Sequence, residues 1–122
     1  MMQQVLYLED EPTHAVLVER YLKSISSEIG VTIAEDLESA KVALASEPTL
    51  FLVDILVGKG RQGLEFVHYI RANGYAQQVI AITALTLPAD VQQCYDSGCT
   101  EVICKPFSIN QLHNVLSRYI QA

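Results

Sequence analysis

The stretch Leu50-Phe51-Leu52-Val53-Asp54-Ile55-Leu56-Val57 is apolar except for one carboxylate. A run of this kind, rich in β-branched and aromatic residues, reads as a strand buried on both faces of a parallel sheet. An ionised carboxylate inside such a strand costs several kcal/mol unless it is paired or metal-bound. That cost is avoided if Asp54 lies where the strand leaves the sheet, at its carboxyl end. In open α/β sheets, ligands and chemistry gather at that edge.

The flanking sequence supplies a sheet of the right kind. Val5-Leu6-Tyr7-Leu8 is a first strand running into Glu9-Asp10-Glu11, and Pro12 suits the first turn of a helix reaching about Ser26. Ala15, Val16, Val18, Tyr21, Leu22 and Ile25 form its apolar stripe. Gly30 breaks that helix, and Val31-Thr32-Ile33-Ala34 is a second strand. Asp36 caps a second helix with Ala40, Ala43 and Leu44 facing inward, and Pro48 follows its end. After the Asp54 strand, Gly58, Gly60 and Gly63 predict a flexible loop. The third helix carries Leu64, Phe66, Val67, Ile70 and Arg71 and stops near Asn73-Gly74. Val79-Ile80-Ala81-Ile82 is a fourth strand ending at Thr83-Ala84, and Pro88 opens a polar helix through Tyr95, stopped at Gly98. Val102-Ile103-Cys104 is a fifth strand ending at Lys105-Pro106. Ser108 caps a last helix whose period continues through Tyr119-Ile120. Strands and helices that alternate over short loops require right-handed crossovers and a parallel sheet covered on both faces.

A chain of 122 residues, half of them apolar, predicts a single domain over residues 1–122 with a core large enough to need no disulfide or metal staple. No apolar run reaches the roughly 20 residues of a membrane span, and no signal peptide is evident at the start. No membrane role is expected. The net charge of −6 argues against nucleic acid as this domain's partner. Cys94, Cys99 and Cys104 read as buried thiols in a reducing, cytoplasmic compartment, because the close ligand pairs of a zinc site are missing. His14, His68 and His113 fall on predicted helices and receive no role, although His68 suits a half-buried position.

The strand ends converge chemically. The first supplies Glu9, Asp10 and Glu11, the third Asp54, the fourth Thr83 and the fifth Lys105. In a strand order of 2-1-3-4-5, the loops after the first and third strands flank the switch point of the sheet. Carboxylates gathered there make a hard, all-oxygen site suited to Mg²⁺. A hydroxyl and an ammonium nearby can hold phosphoryl oxygens. A carboxylate beside Mg²⁺ is a competent nucleophile toward phosphorus.

Across its full length the chain resembles the receiver domain of two-component response regulators, a flavodoxin-like α/β fold. The residues that carry the resemblance are Glu9-Asp10-Glu11-Pro12, Asp54, Thr83-Ala84 and Lys105-Pro106-Phe107, in that order and on those elements. It implies that Asp54 accepts phosphate from a phosphohistidine on a histidine kinase or histidine phosphotransfer protein. It also implies Mg²⁺ held by Asp10, Asp54, Glu9 (directly or through water) and the backbone carbonyl of Leu56, with Thr83 and Lys105 contacting the phosphoryl group. A downstream protein would dock on the face made by the fourth helix, fifth strand and fifth helix, and a homodimer is compatible with the family. Such a domain is a signalling phosphoacceptor rather than an enzyme acting on an external substrate.

The chain departs from the family pattern at four places. Glu9 stands where the family usually has Asp, and Gly58 where it has Pro. The loop before Gly63 is longer by one residue, and Val102 replaces the usual aromatic switch residue. That last change removes the readout in which an aromatic ring swings inward, and leaves a non-phosphorylated pseudo-receiver as the alternative. Leu56 and Leu85 border the path of an attacking water in such domains; both are apolar here, which implies slow self-dephosphorylation.

Simpler readings exist for each fragment. Glu9, Asp10 and Glu11 suit the dipole at the start of the first helix, and Phe107 suits packing. Gly58-Lys59-Gly60-Arg61-Gln62-Gly63 matches the dinucleotide pattern G-x-G-x-x-G. The next strand, however, ends at Thr83 rather than at an acidic residue for a ribose, and Asp54 would face the pyrophosphate. The loop is instead expected to be flexible, with Lys59 and Arg61 attracting an anionic partner.

Overall fold

The computed structural model describes residues 3–120. Strands and helices alternate as β1 (Gln4–Leu8), α1 (Pro12–Ile25), β2 (Gly30–Ala34), α2 (Leu37–Ala43), β3 (Leu50–Asp54), α3 (Gln62–Ala72), β4 (Gln78–Thr83), α4 (Pro88–Asp96), β5 (Glu101–Cys104) and α5 (Ile109–Leu116). A short 3₁₀ turn, Leu44–Ser46, follows α2. The five strands form one parallel sheet in the order β2-β1-β3-β4-β5, the flavodoxin-like arrangement expected from the sequence.

Alternation along the strands divides the core in two, because successive side chains point to opposite faces. Leu6, Leu8, Phe51, Val53, Val79 and Ala81 pack with Ala40 of α2, Phe66, Val67 and Ile70 of α3, and Cys94 of α4. Val5, Tyr7, Leu50, Leu52, Ile80, Ile82 and Ile103 pack with Val18 and Leu22 of α1 and Leu112 and Leu116 of α5. All five residues of β3 are buried, so the run that opened the sequence reading is the central strand between β1 and β4. Each large apolar side chain buried this way contributes about 1.5–3 kcal/mol.

The helix starts follow local chemistry. Asp36 and Ser108 each form a reciprocal capping box, with Ser39 and Gln111 respectively. Such caps are worth about 1 kcal/mol each. Glu11 is the N-cap of α1, accepting from the Thr13 N–H at 3.0 Å. Of the three adjacent acids, this one serves the helix and leaves the other two for the edge of the sheet.

Several details differ from expectation. Val16 is 44% exposed, because the buried face of α1 runs through Ala15, Val18 and Leu22 and Val16 is turned away from it. Regular α5 stops at Leu116 and continues as tight turns, with Arg118 and Tyr119 bonding back only three residues. Cys94 and Cys99 are buried free thiols, but Cys104 is exposed at the last position of the edge strand β5. His68 is exposed. Arg61 is already engaged, with its guanidinium on Asp90 of α4 at 2.9 Å and on Gln93.

Gly63 is not part of the loop but lies in the first turn of α3. A Cβ there would stand 2.0 Å from the Asp54 carbonyl oxygen and 2.6 Å from the Ile55 Cα. Both are backbone atoms that cannot move aside cheaply, so this glycine sets how closely α3 approaches the end of β3. Gly63→Ala is expected to destabilise the fold by about 1–3 kcal/mol, measured as a lower urea midpoint with an unchanged denaturant slope.

Candidate functional site

The carboxyl ends of β1, β3, β4 and β5 meet at one edge of the sheet. Glu9 follows β1 and keeps its backbone on the ladder, its N–H donating to the Ala34 carbonyl at 2.9 Å. Its side chain is buried: Oε1 accepts from the Tyr7 hydroxyl at 2.8 Å and from Lys105 Nζ at 3.0 Å, and Oε2 from the Glu11 N–H at 3.3 Å. Asp10 is exposed, and its Oδ2 accepts from the Gly58 N–H at 3.1 Å. This bond ties the loop after β3 to the loop after β1. Gly58 makes the turn with a φ of +67°, a value that favours glycine.

Asp54, the last residue of β3, is 6% exposed. Its Oδ1 accepts from the Leu56 N–H at 3.1 Å and its Oδ2 from Lys105 Nζ at 3.0 Å. Thr83 is fully buried; its hydroxyl oxygen accepts from the Leu85 N–H at 3.1 Å. Its carbonyl accepts from the Lys105 N–H at 2.7 Å, so the ladder itself sets Lys105 beside Thr83. The Lys105–Pro106 peptide is cis.

The electrostatics are those of two acids sharing one base. Burial raises the pKa of Asp54, and the hydrogen bond and charge of Glu9 raise it further; Lys105 opposes this without cancelling it. Burial also pushes Glu9 upward, but hydrogen bonds from Asp54, Lys105 and Tyr7 outweigh that and hold its carboxyl below the usual range. Burial pulls Lys105 down, yet its bonds to Glu9 and Asp54 prevail and keep it above the ordinary lysine value. Burial, then Glu9, drives the Tyr7 phenol far up, so it stays a donor.

Carboxylate oxygens of Glu9, Asp10 and Asp54 lie within 4.8 Å of one another. Three hard oxygen donors at that spacing fit a small divalent cation of the Mg²⁺ type, with waters completing its shell. A cavity of about 350 Å³ opens beside them, lined by His14, Leu17, Ala84, Lys105, Pro106 and Phe107. Phe107 also packs against the α1/α5 side of the core, as expected.

The family model described as the response regulator receiver domain matches residues 5–117. The chain belongs to the response regulator receiver family. Over 119 residues it is 32% identical to the transcriptional regulatory protein MalR of Bacillus subtilis, covering 97% of this chain and 50% of that protein. Over 116 residues it is 28% identical to the probable C4-dicarboxylate response regulator DctR of Priestia megaterium, covering 94% and 50%. The receiver thus spans about half the length of these curated relatives. Among solved structures, the signal receiver domain of a putative Luxo repressor protein from Vibrio parahaemolyticus superposes with a TM-score of 0.86 at 21% identity, covering 97% of this chain and 89% of that one. The chemotaxis protein CheY4 of Vibrio cholerae gives a TM-score of 0.84 at 24% identity, covering 98% and 100%. Both share the fold.

Within this receiver domain, Glu9, Asp10, Asp54 and Lys105 are in one cluster, and Thr83 is joined to it through the Lys105 backbone. The Leu56 N–H enters the cluster through Asp54. Two residues in it carry no functional signal of their own in the sequence: Tyr7, whose hydroxyl donates to Glu9 Oε1, and His14, whose Nδ1 lies 3.0 Å from Lys105 Nζ. For His14, a place in the first turn of the helix that follows the acidic residues is the available signal.

Because the folded-state pKa of Asp54 is raised, its ionisation opposes folding. The penalty is absent below the unfolded value of about 4 and reaches its full size once pH exceeds the raised folded value. Asp54→Asn is therefore expected to raise the Tm at pH 7 by roughly 3–6 °C, the effect of about 1 kcal/mol in a domain of this size. The gain should fade as pH is lowered through 4. A calorimetric pH series measures this; an Asn variant less stable at pH 7 would contradict it.

Proposed function

We propose that this receiver accepts a phosphoryl group on Asp54 from a phosphohistidine of a histidine kinase or histidine phosphotransfer protein. The state of Asp54 then controls binding of a partner or passage of phosphate along a relay. The observation that carries this reading is the convergence of Asp54, Glu9, Asp10 and Lys105 at one sheet edge, beside an open cavity. The phosphoacceptor unit in this reading is the domain of residues 1–122, and a cytoplasmic setting fits it.

In the transfer, an Asp54 carboxylate oxygen attacks phosphorus, a new P–O bond forms, and the P–N bond to the donor imidazole breaks with its electron pair leaving on that nitrogen. Lys105, already 3.0 Å from Asp54 Oδ2, is placed to stabilise charge on the phosphoryl oxygens. The Thr83 hydroxyl oxygen accepts from the Leu85 N–H and keeps its own hydrogen to donate to a phosphoryl oxygen. Glu9, Asp10, Asp54 and the backbone carbonyl of Leu56 would hold Mg²⁺, which when bound neutralises the carboxylates and draws charge from the phosphoryl oxygens. Asp10 and Gly58 keep the two loops that carry these ligands together.

The product's lifetime follows from its surroundings. Leu56 and Leu85 present no hydrogen-bonding side chain to position an attacking water, so the aspartyl phosphate is expected to decay slowly. The downstream partner would dock on the face formed by α4, β5 and α5, where Leu87 just before α4, Tyr95 and Ile109 are exposed. The pseudo-receiver alternative has no support among the relatives, three of which are named probable C4-dicarboxylate response regulators.

Incubation with Mg²⁺ and acetyl phosphate tests the reading. Intact mass should show one phosphate-sized gain, absent in Asp54→Asn and dependent on the cation. Followed over time after donor removal, the gain should decay slowly, and faster in Leu56→Asn. A wild-type chain that stays unmodified, or modification that survives Asp54→Asn, would sink the assignment.

A further inference from the structure

The Lys105 ammonium has three hydrogens and three acceptors: Glu9 Oε1, Asp54 Oδ2 and His14 Nδ1, each at 3.0 Å. The two carboxylates belong to the site described above. The imidazole comes from the first turn of α1, and the phosphoacceptor chemistry makes no use of it. An ammonium only donates, so Nδ1 must present its lone pair and the ring hydrogen resides on Nε2. Nδ1 also lies 3.6 Å from Glu9 Oε1, so the ring edge borders the same oxygen that Lys105 bonds. The Lys105 side chain is 14% exposed, while that of His14 is 43% exposed and lines the cavity. Without the imidazole, the third hydrogen would turn toward that cavity and the flexible stem could follow it.

We propose that His14 is a positioning residue for Lys105: its imidazole takes the third ammonium hydrogen and keeps the ammonium seated beside Asp54 for phosphoryl transfer. This rests on the phosphoacceptor reading. A cation held in place before reaction stabilises developing charge without reorganising. Of the three acceptors the neutral imidazole is the weakest, since the other two bonds are charge-assisted. It is therefore the one released when a phosphoryl oxygen claims an N–H.

Two variants separate positioning from mere packing. His14→Leu removes the acceptor, whereas His14→Asn sets an amide oxygen near the place of Nδ1. Acetyl phosphate is the donor, so that protein docking near the cavity does not enter, and rates are normalised to the folded fraction. The maximal phosphorylation rate of His14→Leu should fall about fivefold, the worth of one neutral hydrogen bond, with half-saturating acetyl phosphate unchanged. His14→Asn should remain within about twofold of wild type. The Lys105 ammonium ¹H–¹⁵N signal, visible only while its hydrogens are shielded from water, should persist in wild type and His14→Asn and vanish in His14→Leu. His14→Leu at the wild-type rate, His14→Asn as impaired as His14→Leu, or a Lys105 signal indifferent to both would overturn the proposal. A wild type that takes no phosphate would remove the transfer role together with the phosphoacceptor reading, and the ammonium signal would still decide whether His14 holds Lys105.

Discussion

The Lys105 ammonium, bonded at once to Glu9 and Asp54, is the interaction on which the edge of this sheet depends. Two carboxylates buried side by side repel each other and lose hydration; neither can stay charged there without a nearby cation. Lys105 supplies that cation from the far end of the sheet, across β4 and β3. Its backbone is held to Thr83 and its side chain to Asp54, so the fifth strand cannot shift without disturbing the charge on the third. Asp54 is nevertheless left with a raised pKa, so one ammonium does not fully compensate the pair. That deficit is what a divalent cation would relieve.

The loop after β3 serves the same end by different means. Its N–H groups at Leu56 and Gly58 bond Asp54 and Asp10, and Gly63 lets α3 close down on the end of β3. Arg61 then extends the loop to α4 through Asp90 and Gln93. A segment that looks like a dinucleotide-binding pattern in one dimension is thus a bracket around the carboxylates. Its glycines answer to backbone geometry at Gly58 and to close approach at Gly63, not to a pyrophosphate.

Much of this was legible in the sequence because the signals were local. Apolar runs placed the strands, Asp36 and Ser108 marked helix starts, and a carboxylate in the most apolar run pointed to a strand end. The acids after β1 were harder to divide, since Glu11 caps a helix while Glu9 faces Lys105, and only the fold separates them. What escaped depended on contacts remote in sequence. His14 meets Lys105 across 91 positions, and Arg61 meets Asp90 across 29. Cys104 was expected to be buried, but β5 lies at the sheet edge and its last residue is open to solvent.

A crystal structure of the chain with Mg²⁺ and beryllofluoride tests the central claim most directly, because it reports every ligand of the loaded site together. The account requires beryllium on an Asp54 oxygen, fluorides against Lys105 Nζ and the Thr83 hydroxyl, and the cation against Asp10 and Asp54. A cation bound elsewhere, or beryllofluoride absent from Asp54 with Lys105 still closed on Glu9 and Asp54, would contradict it.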